Sequence, residues 1–399
     1  MNGPAALVLA LAAWLPARAA AQVATLHWGA QAIPALTATA VVPGGETLTE
    51  LRVVQPFLML RADAFRHRLT GLATGNFEKW TIPNGELVPG AWGEGFADRR
   101  HPHTVFHELM LVVPADRFFL AAGKGFVPFG SDDPMSRPVL RYPVNHHWAQ
   151  ILERAVAIGG ARDGPLMLEG SLFNGDEPVS PDSWPAIDRF GDSWSVRLTL
   201  SPPTTPLELQ VSYAFVHSPE NRAGAGPDDI KWSASARWER SPVYGLLEWA
   251  RTSVSSGDLV YHSVLAEASV AMGGHRPYGR FEVTERPEDD RLADPFRTVW
   301  PPLDNSILGV TRWTVVTAGD AIELKPLGPV RLAPVAELSY AWIAKVGGGA
   351  FDPAAFYGRE HGLVVTLGVR VTAGMRMTRM GRYGSTATMD EPGMHHHDE

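Results

Sequence analysis

Apolar and polar residues alternate one for one along much of this chain, the period-two signature of a strand whose two faces differ. In Leu207-Glu208-Leu209-Gln210-Val211-Ser212-Tyr213-Ala214-Phe215 every odd position is apolar, and Trp194-Ser195-Val196-Arg197-Leu198-Thr199-Leu200 does the same at even positions. Near the end, Leu363, Val365, Leu367, Val369 and Val371 alternate with Val364, Thr366, Gly368 and Arg370. In Trp232-Ser233-Ala234-Ser235-Ala236-Arg237-Trp238 the apolar face opens and closes on tryptophan. Strand rise sets those rings about 20 Å apart, near the height of the apolar band on a membrane barrel. Helical periodicity is hard to find. Beyond the N-terminal segment no window approaches the roughly 18 to 20 uninterrupted apolar residues of a membrane helix.

The pattern predicts strands near 50–60, 65–74, 103–113, 116–124, 148–158, 165–173, 191–201, 207–217, 229–240, 243–253, 259–272, 277–286, 304–318, 330–343 and 360–372. Connections between them alternate between short and long, with 254–258 and 319–329 as the weakest contrasts. Pro114-Ala115, Pro202 to Pro206, Ser241-Pro242 and Gly273-Gly274-His275-Arg276 read as tight turns. The long partners are 75–102, 125–147, 174–190, 218–228, 287–303 and 344–359. Parity calls for one more strand ahead of 50–60, and Ile33 to Val42 is its candidate, weakened by Pro34. The expectation is an all-β transmembrane antiparallel barrel of about sixteen strands, with short periplasmic turns, long external loops and both termini periplasmic. A barrel of that size leaves an aqueous lumen. A soluble β-sandwich also alternates, but its strands cluster near 5 to 6 residues, against about 10 to 13 here.

The N-terminus sets the compartment. Ala5 to Leu15 form an apolar run, followed by Ala17-Arg18-Ala19 and Ala19-Ala20-Ala21. This reads as a signal peptide over 1–21, although the positive n-region is absent. The barrel then occupies 22–383, with a polar His- and Met-containing tail over 384–399. The chain lacks cysteine, which excludes a disulfide scaffold and thiolate metal sites. With 35 basic against 43 acidic residues and a net charge of −8, the electrostatic footprint of a nucleic-acid binder is missing.

Candidate chemistry is sparse. There is no G-x-S-x-G, no H-E-x-x-H and no phosphate-binding glycine loop, so an enzyme is not expected. Acidic loop stretches such as Gly130-Ser131-Asp132-Asp133-Pro134 match no EF-hand spacing and read as solvated turns. Imidazoles suit Zn²⁺, Cu²⁺ or Ni²⁺, and His101, His103, His146, His147, His395, His396 and His397 are weak candidates for such a role. The plainer reading is loop-end histidines and a polar tail. No cofactor is implied.

Lys124-Gly125-Phe126-Val127-Pro128-Phe129-Gly130 follows a strand and opens the third long loop. It resembles the G-x-F-x-P-F-G element of Gram-negative phosphate-selective porins, at Gly123 to Gly130. Arg117 to Lys124 and Phe173-Asn174-Gly175 are also similar, and elsewhere the resemblance rests on barrel layout. It implies a sixteen-stranded channel, often a trimer, whose third external loop folds inward to narrow the pore. By count, 125–147 is the third long loop. Lys124, Asp132, Asp133, Arg137 and Arg141 would then line the constriction, where rings of charge select ions. An anion-selective member should carry excess Lys and Arg there, and this loop does not.

The expected lumen-facing charges are mixed too: Arg197, Lys231, Arg237, Arg312 and Arg370 against Glu208, Glu248, Glu267 and Glu337, with Arg66, Arg68 and Glu169 as further candidates. The expected function is an outer-membrane channel for passive diffusion of small polar or ionic solutes, surrounded by outer-membrane lipid. The alternatives are a closed barrel acting as a surface-binding or structural protein, and a metal-linked channel. One departure from the family stands at the C-terminus: 27 residues follow the last clean strand, unless that strand runs on through Met375 and Met377 to Tyr383.

Overall fold

The computed structural model describes residues 25–41, 45–81, 104–144, 146–178, 180–219, 223–254, 257, 259–289, 307–375 and 379–386. The expected signal peptide and all but the first residues of the expected tail lie outside this set. Sixteen strands form one closed antiparallel barrel, each hydrogen-bonded to its sequence neighbours, with the first joined to the last. They are β1 (Thr25–Thr39), β2 (Leu48–Ala64), β3 (Leu69–Asn76), β4 (Phe106–Pro114), β5 (Phe118–Gly125), β6 (Arg154–Asp163), β7 (Leu166–Phe173) and β8 (Ser193–Leu200). The second half comprises β9 (Leu207–Val216), β10 (Asp229–Arg240), β11 (Val243–Val254), β12 (Leu259–Val270), β13 (His275–Asp289), β14 (Ile307–Ile322), β15 (Val330–Gly349) and β16 (His361–Gly374). Closure satisfies every edge, which is what lets a sheet span an apolar medium. Among the described residues no helix is long and apolar enough to cross a membrane.

The alternation in the sequence becomes two faces. Leu166, Leu168, Leu172, Trp194, Val196, Leu198, Leu209, Val211, Leu247 and Trp249 all point outward and are exposed. Between them Glu169, Ser171, Ser195, Arg197, Thr199, Gln210, Ser212 and Glu248 are buried on the inner face. Trp232 and Trp238 lie outside near opposite ends of β10. Trp194, Tyr213 and Trp232 continue the aromatic band on the long-loop rim, their ring centroids 5.2 and 4.7 Å apart. Such rims suit a headgroup boundary.

The connections that follow even-numbered strands are two to seven residues long and lie at one rim, together with the start of β1 and the end of β16. Those that follow odd-numbered strands lie at the other rim and are longer, apart from the four residues between β11 and β12.

Several boundaries differ from the pattern-based expectation. β1 begins at Thr25 rather than Ile33, and its pairing to β16 is interrupted at Ile33 and Pro34, where proline supplies no ladder N–H. Residues 65–68 form a turn with positive φ at Phe65, Arg66 and His67. Arg66 and Arg68 are therefore exposed at the rim and do not belong to the inner face.

The 148–158 strand starts only at Arg154, because the preceding residues fold inside the barrel. β16 stops at Gly374 and does not run on to Tyr383. A side chain at Gly374, whose φ is +73°, would strike the Trp28 carbonyl. The chain turns there and re-enters the barrel.

Candidate functional site

The third long connection, residues 126–153, leaves β5 and packs almost wholly buried within the barrel. Local sequence explains the path. Gly130, at φ +70°, sits so close to the Ala149 carbonyl that no side chain fits between the two arms of the loop. Asp133 caps the Pro134–Ser136 turn by accepting from the Met135 N–H at 2.7 Å, and it also accepts from the Tyr142 hydroxyl at 3.0 Å. Phe126, Val127, Phe129, Met135 and Tyr142 fill the space against Phe57, Met110, Phe119 and Ile158 of the wall.

Polar groups stitch the loop to the wall. The Gly130 N–H donates to Ser212 Oγ at 3.0 Å, and Ser195 Oγ donates to the Pro128 carbonyl at 3.2 Å. Ser131 donates to Glu248 Oε2 at 2.6 Å. The N–H groups of Leu140 and Arg141 donate to Glu337 Oε2 at 3.0 and 3.3 Å, and Tyr278 supports that oxygen at 3.0 Å. Arg280 bridges Glu267 at 2.8 Å and the Arg141 carbonyl at 2.5 Å, while Arg370 donates to the Pro138 carbonyl at 3.4 Å.

Asp132 is the electrostatic centre. Its Oδ2 lies 2.6 Å from Arg237 Nη1 and 3.2 Å from Arg379 Nε, and its Oδ1 lies 3.7 Å from Arg137 Nε. Burial opposes its ionisation, yet the guanidiniums of Arg237, Arg379 and Arg137 overcome that and hold its carboxyl far below the usual carboxylate range. Asp133, next in sequence, goes the other way. Burial raises its pKa more than the charge of His107, the Met135 N–H and the Tyr142 hydroxyl lower it. Arg137 also reaches Glu248 at 3.4 Å and Glu267 at 3.8 Å.

The other sequence-derived candidates divide. Arg197 makes a two-pronged pair with Glu169 at 2.6 and 2.9 Å across β7 and β8. Lys231 lies 3.2 Å from Asp229 and 5.2 Å from the Trp148 ring centre. Lys124 is at the end of β5, where it donates to Thr104 in a separate cluster with Glu153 and His107. It does not join the Asp132 network.

Arg312 was expected to face inward but does not. The inner set of β14 is Thr311, Trp313, Val315 and Thr317, and Arg312 is 48% exposed on the other face, 2.6 Å from Glu285. Trp313 fixes that register by turning inward, edge-on to Tyr357 and 4.9 Å from the Arg286 guanidinium.

Sequence reasoning missed two groups. Arg280, Glu282, Arg286 and Glu288 are all buried on the inner face of β13, and they recur at even positions, so parity could have found them. Arg379, Arg382 and Tyr383 follow the last strand and carry no periodic signal. Arg379 grips Glu208 with two bonds, at 2.9 and 2.8 Å, and Arg382 lies 3.1 Å from the same carboxylate. Among the described residues no group of three or more His, Asp or Glu is arranged to hold a metal ion. His101, His103, His395, His396 and His397, and the side chains of His146 and His147, lie outside the described residues.

No family model matches the chain, and no curated protein sequence matches it. Solved structures do. An anion-selective porin from Comamonas acidovorans superposes with a TM-score of 0.53 at 12% identity, over 88% of this chain and 99% of that one. This chain has the fold of the porins. A trimer form of OmpT, an outer membrane protein of Vibrio cholerae, gives a TM-score of 0.50 at 7% identity, covering 89% of this chain and all of that one. Salmonella typhi OmpF in complex with daunomycin gives 0.50 at 10% identity, over 86% and 97% of the two chains.

Proposed function

We propose that the protein is an outer-membrane channel for passive diffusion of small polar or ionic solutes, narrowed by the loop that begins at Gly125. The observation that carries this reading is the pairing of an apolar outer face with an inner face of ionised side chains, against which the loop is bonded. The shared fold with the Comamonas acidovorans and Salmonella typhi porins supports it. Asp132, Asp133, Arg137 and Arg141 set the charge at the narrowing, and Arg197, Arg237, Glu208, Glu248, Glu267, Glu337 and Arg370 line the wall.

Charges of both signs stand there together, with Asp132, Glu208, Glu248 and Glu267 paired to arginines. The reading therefore includes no preference for anions, despite the resemblance at Gly123 to Gly130 and the anion selectivity of the Comamonas acidovorans protein. The rim with the short turns and both strand ends is assigned to the periplasm, because long loops belong outside in such barrels. A homotrimer accords with the trimer form of the Vibrio cholerae protein.

Single-channel conductance in a planar bilayer, with the reversal potential in a salt gradient, tests the proposal. Steady current steps with weak ion selectivity are expected. Silence from protein folded as a barrel would overturn it in favour of a closed barrel with a binding or structural role. One observation favours that second reading: residues after β16 fold inside the barrel beside the loop.

A further inference from the structure

The segment after β16 is anchored inside the barrel at every step. The Arg379 guanidinium makes two parallel bonds to Glu208, with Nη1 to Oε2 at 2.9 Å and Nη2 to Oε1 at 2.8 Å. Its Nε reaches Asp132 Oδ2 at 3.2 Å. Three donors of one planar cation are thus met by two carboxylates, one on the wall and one on the loop. The Nη1–Nη2 end of the guanidinium takes Glu208 and its Nε side takes Asp132, a planar match that a point-like ammonium cannot reproduce.

The neighbouring contacts hold the backbone of the segment in place. Arg382 donates to the Ser131 carbonyl and to Thr199 Oγ1 at 3.0 Å. The Gly381 carbonyl accepts from Arg197 at 2.7 Å. The Tyr383 hydroxyl accepts from the Phe126 N–H at 3.0 Å, and Met380 and Tyr383 are buried in the apolar cluster between loop and wall.

We propose that Asp132 and Glu208 form a guanidinium-binding site inside the barrel, and that residues 379–384 are a built-in stopper which fills it with Arg379. The stopper lies against the wall at β5 to β9, where it meets Phe119, Arg162, Arg197, Thr199 and Glu208. When it leaves, the site accepts guanidinium-bearing solutes. This deepens the channel reading for solute class, but the occupancy of the site by the segment does not depend on current flow.

The test exploits a chain without cysteine. A Thr199→Cys substitution places a thiol on the inner face of β8, under Arg382. Its labelling by a charged, water-soluble thiol reagent is measured on the refolded full-length barrel, with and without Arg379→Ala and Arg382→Ala. Each lost charge-assisted anchor shifts the seated population about tenfold, so the double substitution should speed labelling by roughly a hundredfold. L-argininamide should then slow labelling again, while tetramethylammonium at the same ionic strength should not.

Equal labelling rates with and without the two arginines would overturn the stopper. Faster labelling that L-argininamide leaves unchanged would overturn the guanidinium site. Bilayer recordings on the same proteins separate this from the channel reading: silence from both, with labelling accelerated as expected, refutes the channel and leaves the stopper standing. If the double substitution does not refold, Glu208→Gln removes the Arg379 fork with one isosteric change and must speed labelling by about tenfold.

Discussion

Replacing Asp132 by asparagine keeps the side-chain shape and removes the charge on which three guanidiniums converge. Arg237 lies at 2.6 Å, Arg379 at 3.2 Å and Arg137 at 3.7 Å, and the carboxylate is fully buried. Removing one partner of a buried ion pair costs about 3–5 kcal/mol, because the other is left uncompensated away from water. Here each arginine keeps a second acid: Glu239 for Arg237, Glu208 for Arg379, and Glu248 with Glu267 for Arg137. The lower end, about 3 kcal/mol, is therefore expected, a factor of roughly a hundred in the folding equilibrium.

Urea unfolding of the barrel in lipid vesicles, followed by tryptophan fluorescence, measures the loss. The control is Asp133→Asn. Asp133 is equally buried, but the Met135 N–H and Tyr142 hydroxyl that it accepts from can be served as well by an amide oxygen. Its cost should stay below about 1 kcal/mol. Equal losses from the two substitutions, or less than about 1 kcal/mol from Asp132→Asn, would refute the view that charge at Asp132 organises the loop.

Three further outcomes follow from the same geometry. Arg197→Met should cost about 3–5 kcal/mol by stranding Glu169, and adding Glu169→Leu should recover most of it; additive losses in the unfolding cycle would contradict this. Leu247→Arg, which sets a charge at mid-strand on the outer face, should cost about 2–4 kcal/mol in vesicles. A much smaller cost in vesicles would mean that this face does not meet lipid.

The third outcome concerns pH. Asp132 is held far below the value near 3.9 of an unfolded chain, so its contribution is complete above about pH 5 and is lost progressively as pH falls through the unfolded value and below it. The urea midpoint should drop between about pH 5 and pH 2, and drop less in Asp132→Asn.

Strand count, order and parity were legible because burial in a barrel is decided residue by residue at period two. Leu207 to Phe215 could satisfy a lipid-like outside and an ionic inside in only one register. Boundaries were less legible where another constraint cut across the alternation. The turn at 65–68 is made by positive φ at three non-glycine residues, and β16 ends where only glycine fits beside the Trp28 carbonyl. Arg312 differs from the expectation because of one aromatic residue. Trp313 takes the inner face, where Tyr357 and Arg286 offer its ring buried partners, and that register turns Arg312 outward.

The site itself was half legible, and the missing half is non-local. Asp132 and Arg137 stand out in the loop sequence, but what they do depends on partners 105 and 111 residues away, Arg237 and Glu248. Nothing in the spacing of those residues encodes that meeting; the closed barrel brings them together across its interior. Arg379 is the extreme case, 247 residues from Asp132 and outside any strand. Its segment reads as surplus chain after the last ladder. Two arginines, a buried methionine and a buried tyrosine within five residues, Arg379 to Tyr383, are nonetheless costly to leave in a solvated tail. An ionic, apolar-walled interior is the place where all four are satisfied together.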